Sequence, residues 1–299
     1  MAAGVYTACV TSGAALEAHA TILVSCPDRR GLVAALAQLL YGHGVNILAA
    51  EQHTDPAAQQ FFQRIHVDLA EMHADRMTLE RAIAEVAQRF AMRWRIAYSR
   101  PRKRVAILVS KYDHCLHDLV LRQRAGELPC EIALVVSNHP DLEPIARGYG
   151  IAYQMLPITP QTKREQEDRM FALFDAERID LVVLARYMQV VSAEFCERYA
   201  ERAINIHHSF LPAFAGPRPY HQAHARGVKV IGATAHYVTV ELDEGPILAQ
   251  DVMSVSHRDS VEDLVRKGRD LERGVLSNAV RSHLQDRVIV ADNKTVVFS

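Results

Sequence analysis

Val105-Ala106-Ile107-Leu108-Val109 is an unbroken apolar run with β-branched residues at three of its positions. Alternation of apolar and polar residues would mark a strand with one wet face; an unbroken run marks a strand covered on both. Residues 132–136 and 181–184 (Leu-Val-Val-Leu) have the same character. Segments of helical spacing at 116–124, 142–149 and 164–177 alternate with them. The pattern predicts an α/β domain with a mostly parallel, doubly wound, Rossmann-like sheet and right-handed crossovers. Ligands of such sheets bind beyond the carboxyl ends of the strands, here Ser110, Ser137-Asn138, Arg186-Tyr187-Met188 and His207. The turn after the first of these strands, Ser110-Lys111-Tyr112-Asp113-His114, contains no glycine. That argues against a dinucleotide-binding fingerprint and a nicotinamide cofactor.

Upstream, Ser99-Arg100-Pro101-Arg102-Lys103-Arg104 reads as a solvated linker over 100–104, too short for a nucleic-acid patch. Before it the periodicity differs. Residues 21–26 read as a strand and Pro27-Asp28-Arg29-Arg30-Gly31 as a turn. A helix over 32–41 carries Leu32, Leu36, Leu39 and Leu40 on one side. Strands at 45–52 and 60–69 flank the turn Asp55-Pro56, then come a helix over 78–90 and a strand over 92–98. This βαββαβ order predicts a ferredoxin-like unit over 20–99, a four-stranded antiparallel sheet covered by two helices. The α/β domain then spans 105–299. Residues 1–19 lack the basic start of a signal peptide and read as a loose extension.

The chain has 299 residues, 49% hydrophobic and 23% charged, with a formal net charge of −1, the balance of a globular protein without a basic surface. Neither a nucleic acid nor a membrane is expected as partner. The five cysteines (Cys9, Cys26, Cys115, Cys130, Cys196) are scattered without a C-x-x-C pair, which suggests reduced structural thiols, a cytoplasmic location and no metal site.

Downstream, Ala203-Ile204-Asn205-Ile206-His207-His208-Ser209-Phe210-Leu211-Pro212 begins as a strand and breaks at a loop. An extended backbone sends Asn205 and His207 to one face. An amide donor beside an imidazole can bind a carbonyl oxygen that becomes an oxyanion, although the same residues could merely satisfy loop backbone. A short helix at Tyr220-His221-Gln222-Ala223 follows. Val230 to Val238 then reads as an antiparallel or edge strand, leading to the acidic turn Glu241-Leu242-Asp243-Glu244-Gly245-Pro246. By itself that turn is ordinary; following N-x-H, its Asp243 becomes a candidate.

The Asn205, His207, Asp243 order, with F-L-P-A-F and G-A-T-A-H, resembles the formyltransferase-type catalytic domain of folate enzymes from about residue 104 to the end. Cys26-Pro27-Asp28-Arg29-Arg30-Gly31-Leu32 and Gly44-Val45-Asn46-Ile47 resemble an ACT domain. The resemblance implies that Asn205, His207 and Asp243 surround the formyl carbon of 10-formyltetrahydrofolate. It implies that Arg186, Tyr187, Met188, Gln189 and Val190 hold the folate ring, with His236 in support and no cofactor needed. An ACT domain ahead of such a domain resembles the members that hydrolyse the formyl group to formate. It further implies a homo-oligomer and an amino-acid effector, methionine activating and glycine inhibiting, bound at Asp28, Gly31, Leu32 and Asn46. A helix N-terminus there suits a carboxylate.

Those residue types fit hydrolysis: Asp243 as general base for water, Asn205 and a protonated His207 for the oxyanion. Two alternatives remain. Glycinamide ribonucleotide formyltransferases share the three residues but hold a phosphate in a glycine- and serine-containing turn, where this chain has Lys111-Tyr112-Asp113-His114. Ala215, where many transferases carry lysine, points the same way. The other alternative is a regulatory protein that binds folate without catalysis.

Overall fold

The computed structural model describes residues 19–213 and 219–299. The stretch read as an extension (1–18, with Cys9) and Ala215 lie outside them. By packing, the described chain divides into two units, with the chain boundary between Pro101 and Arg102.

The first unit runs β1 (His19–Pro27), α1 (Leu32–Gly42), β2 (Asn46–Asp55), β3 (Gln60–Asp68), α2 (Arg76–Phe90), β4 (Arg93–Tyr98). Its sheet has the order β2-β3-β1-β4 with every pair antiparallel, the ferredoxin-like arrangement expected. Leu32, Leu36 and Leu40 of α1 and Leu79, Ile83, Ala87 and Phe90 of α2 are buried against Ala20, Ile22, Val24 and Cys26. Each helical set recurs at three- or four-residue spacing, so one stripe per helix covers one face of the sheet. Asp75 caps α2 by accepting from the Thr78 N–H at 2.7 Å. β1 already begins at His19, one residue inside the expected extension.

The second unit contains β5 (Lys103–Val109), α3 (His114–Arg124), β6 (Cys130–Ser137), α4 (Glu143–Gly148), β7 (Ala152–Met155) and α5 (Lys163–Ala176). It continues with β8 (Leu181–Leu184), α6 (Ala193–Arg198), β9 (Ala203–His207), α7 (Pro219–Arg226) and β10 (Val230–Tyr237). β11 (Ile247–Ser254), α8 (Val261–Leu284), β12 (Val288–Ala291) and β13 (Lys294–Val297) complete it. Seven strands form one sheet ordered β11-β10-β9-β8-β5-β6-β7, parallel from β9 to β7, with β10 and β11 antiparallel.

The apolar run that decided this fold serves two cores. Val105, Ile107 and Val109 face one, with α3 and α8; Ala106 and Leu108 face the other, with Phe171 and Phe174 of α5. Lys103 and Arg104 belong to β5 rather than to a linker. Lys103 Nζ pairs with Asp286 at 2.8 Å, and Arg104 pairs with Glu131 and Glu177. The strand thus begins two residues earlier than its apolar pattern because its first cations are anchored. Cys26, Cys115, Cys130 and Cys196 are buried and free. Among the described residues no helix is long and apolar enough to cross a membrane.

Candidate active site

The strand order turns at β5: β6 lies on one side of it and β8 on the other, which opens a crevice at the carboxyl ends of the strands. Ser110, directly after β5, ties that crevice together. Its hydroxyl donates to Asn138 Oδ1 at 2.7 Å and accepts from the Met188 N–H at 3.0 Å. The loop after β8 starts at Arg186, which adopts φ 65°. Its far end is pinned where the Ser192 N–H donates to Glu167 Oε1 at 2.9 Å. The stretch 186–191, with Asn205, His207, His236 and Asp243, lines a cavity of about 560 Å³.

Pairing of β9 with β10 sets Asn205 opposite His236 and His207 opposite Thr234. The register of β10 against β11 shifts between Ala235 and His236, a bulge beside the site. The Tyr237 carbonyl, which can only accept, lies 2.9 Å from His236 Nδ1, so that nitrogen carries the proton. His236 Nε2 then accepts from the Asn205 amide at 3.2 Å and fixes which way that amide points. Asp243 Oδ2 lies 3.2 Å from His207 Nδ1, and its Oδ1 lies 3.5 Å from His236 Nε2. Asp243 sits at φ 59°, a left-handed conformation that a short polar side chain tolerates better than most.

The turn carrying Asp243 is held from two sides. The Tyr237 N–H donates to the Pro246 carbonyl at 2.9 Å. From the C-terminal hairpin, Asn293 Nδ2 donates to the Glu244 carbonyl at 3.0 Å and Thr295 Oγ1 to the Ile247 carbonyl at 2.5 Å.

Burial alone would push the Asp243 carboxyl up. The hydrogen bond and charge from His207 outweigh it and hold the group well below the usual carboxylate range, so it is ionised at neutral pH. His207 is buried, and its Nε2 has no hydrogen-bond partner among the described residues. A carboxylate on one ring nitrogen and an unused second nitrogen beside a cavity suit the imidazole to meet an incoming oxygen.

His208 behaves differently. Burial, then the Arg186 charge, push its pKa down from 6.5 to about 4. The unfolded chain therefore takes up that proton first as pH falls, so stability is full above pH 6.5 and declines toward pH 4. The gap corresponds to on the order of 3 kcal/mol. His208→Gln should flatten the dependence of the denaturation midpoint on pH between about 4 and 6.5, read by urea titration at several pH values. An unchanged slope would place the titrating group elsewhere.

Every residue singled out for the substrate lines this cavity, but not all through side chains. Arg186 and Tyr187 are buried, and Tyr187 packs into the core on the α5 face. Met188 and Val190 are exposed at the cavity. His221 is exposed on α7, away from the cavity. In the first unit Asp28, Gly31 and Leu32 line an open pocket of about 400 Å³ with Arg29, Gln52, Thr54 and Phe61; Asn46 is not among its lining residues. Asn46 opens β2 on the sheet edge, at the opposite end of the strand from Gln52 and Thr54, which line the pocket.

Sequence reading passed over Glu272, which is buried in α8 and bonded to His114 and Tyr220. Charge and helical spacing gave no sign of it. Among the described residues, His114, Cys115 and Glu272 alone bring three possible metal-ligand atoms within 4.8 Å of one another. The Glu272 oxygens already bind His114 and Tyr220, and the Arg186 guanidinium lies 3.4 Å away. A second cation there would meet that positive charge, so the cluster fits an ion pair better than a metal.

Residues 20–89 match the ACT domain family and residues 103–280 the formyl transferase family. A formyltetrahydrofolate deformylase from Synechocystis sp. is 53% identical over 280 residues, covering 94% of this chain and 98% of the relative. The crystal structure of a formyltetrahydrofolate deformylase from Pseudomonas syringae pv. tomato superposes with a TM-score of 0.91 at 46% identity, covering 94% of both chains. The crystal structure of glycinamide ribonucleotide transformylase 1 from Symbiobacterium toebii covers 66% of this chain and 95% of its own, with a TM-score of 0.62 and 31% identity. With both matched regions in order and near-complete coverage by such relatives, the chain belongs to the formyltetrahydrofolate deformylase family, an ACT domain followed by a formyl transferase domain.

Proposed function

We propose that the chain hydrolyses 10-formyltetrahydrofolate to formate and tetrahydrofolate in the cavity at the ends of β8, β9 and β10. The observation that carries this reading is the convergence of a carboxylate, an imidazole and an amide on one wall, with Asp243 Oδ2 3.2 Å from His207 Nδ1. Water attacks the formyl carbon and gives its proton to Asp243. The carbonyl oxygen becomes an alkoxide, which the Asn205 amide and the Nε2–H of protonated His207 stabilise. Collapse breaks the carbon–N10 bond, and N10 takes the proton held by Asp243. No cofactor is required, because water is the only other reactant.

Hydrolysis needs no second organic substrate. Tyr112 over the Arg186 guanidinium and His114 bonded to Glu272 fill the turn after β5 with bulky side chains, which disfavours a phosphorylated acceptor. The first unit is an amino-acid sensor in this reading. Gly31 precedes α1 without a side-chain cap, leaving N–H groups for a ligand carboxylate in the pocket lined by Asp28, Gly31 and Leu32. Methionine as activator and glycine as inhibitor would link hydrolysis to one-carbon supply. The exposed Ile47 and Leu48 of edge strand β2 support assembly into a homo-oligomer, and the buried free thiols support a cytoplasmic location.

The test is formate release from 10-formyltetrahydrofolate alone, then with glycinamide ribonucleotide, methionine or glycine. Turnover without an acceptor is expected, unchanged by the ribonucleotide. Formate appearing only with an acceptor amine would make the chain a transferase. Tight folate binding with no formate in either case would make it a regulatory protein.

A further inference from the structure

Behind the wall that carries His207 lies a buried cluster of groups that the proposed steps do not use. Glu272 of α8 is 1% exposed. Its Oε2 lies 2.8 Å from His114 Nε2 and 3.4 Å from Arg186 Nε, and its Oε1 accepts from the Tyr220 hydroxyl at 2.7 Å. Four elements therefore meet on one carboxylate: α3, the loop after β8, α7 and α8. Gly268, one turn before Glu272, makes the meeting possible. A Cβ there would stand 2.0 Å from the Tyr220 hydroxyl, so only a glycine lets that ring cross the helix. Glycine inside a helix is unfavourable, and its place here is explained by this crossing.

Two members of the cluster touch the cavity. Arg186 opens the cavity loop in a left-handed conformation that arginine seldom adopts, so something outside its own backbone must hold it there. Its guanidinium lies between Glu272 and the Tyr112 ring, 5.2 Å from that ring's centroid. His208 follows His207 directly. Its ring makes edge contacts with His207 (5.1 Å between centroids) and Tyr220 (6.1 Å). Burial pushes the Glu272 carboxyl up, but the His114 hydrogen bond and the Arg186 charge overcome this and keep it ionised.

We propose that Glu272 is a positioning residue for the formyl-folate cavity, anchoring the Arg186 side chain so that the loop over 186–191 starts in its strained conformation, and bracing His208 behind His207 through Tyr220. This rests on the hydrolytic reading of the cavity. Glu272 does not touch substrate; it acts through Arg186 and Tyr220.

Glu272→Gln in the full chain keeps the side-chain shape and removes the charge. KM for 10-formyltetrahydrofolate is expected to rise about 10- to 100-fold, and kcat to fall by a similar factor, the usual range for losing such a support. The Kd of tetrahydrofolate, read by calorimetry, should weaken in parallel with KM. A merely structural role would reduce the folded, active fraction, lowering apparent kcat while KM and Kd stayed at wild-type values; that result overturns the proposal. If Glu272→Gln does not fold because Arg186 is left as a lone buried cation, the double variant Glu272→Gln/Arg186→Met buries no unpaired charge. Raised KM and Kd in the double variant support the proposal, and unchanged values overturn it. Should the wild-type chain bind tetrahydrofolate yet release no formate, the hydrolytic reading fails by itself, while the Kd comparison still decides the role of Glu272.

Discussion

Asp243→Asn is expected to lower kcat for formate release by a factor of about 10² to 10⁴, the range for losing a positioned general base. The amide is isosteric with the carboxylate and can present its oxygen to His207 Nδ1, so the 3.2 Å contact survives the substitution. What disappears is the proton acceptor and the negative charge beside His207 Nδ1. KM should change far less than kcat, because in the proposed reading the folate ring rests on the loop over 186–191, which also lines the cavity. The wild-type carboxylate lies well below the usual range, so its titration stays below the acid side of the activity profile. A variant that kept more than about a tenth of wild-type kcat would remove Asp243 from the proton transfer.

Gly245→Ala should silence the enzyme from a position that carries no functional group. An added Cβ would lie 1.8 Å from the Tyr237 carbonyl oxygen and 3.0 Å from its carbon. That carbonyl accepts from His236 Nδ1, and the same residue's N–H holds the Pro246 carbonyl. Room for the methyl can come only by pushing the acidic turn off β10 or by displacing Tyr237. Either movement separates Asp243 from His207 and releases the histidine that orients Asn205. We expect a loss of roughly 10² or more in kcat, since a misplacement of about 1 Å suffices for that. A loss of about 1–3 kcal/mol in stability should accompany it, as in overpacked cores. Steady-state kinetics with thermal denaturation checks both; wild-type activity would mean that the turn tolerates a shift.

The parallel sheet was legible because strands buried on both faces leave no polar position, as in Val105–Val109 and Leu181–Leu184. The first unit was legible because Leu32, Leu36 and Leu40 keep helical spacing beside alternating strands. β7 escaped notice: its four residues, Ala152–Met155, include Gln154 and sit at the sheet edge, where little is buried. The β12–β13 hairpin escaped for a similar reason, since four-residue strands at the chain's end carry too little pattern. Asn205, His207 and Asp243 could be named because N-x-H and the acidic turn, with F-L-P-A-F and G-A-T-A-H, together carry a family resemblance. Glu272 could not, because a lone glutamate in an amphipathic helix belongs on the wet face unless distant residues come to meet it. Arg186 was assigned by its loop, yet its side chain serves the cluster behind that loop. Asn46 was grouped with the turn after β1 by motif, while the pocket draws on the other end of β2.

The bonds from Asn293 and Thr295 to the backbone flanking Asp243 bear on how the enzyme comes into being. During synthesis the parallel strands can settle while the tail is still inside the ribosome, but the turn bearing the carboxylate gains its last two tethers only when residue 295 emerges. A nascent chain released short of that point would lack both tethers, leaving the Tyr237 N–H bond to the Pro246 carbonyl to hold the turn.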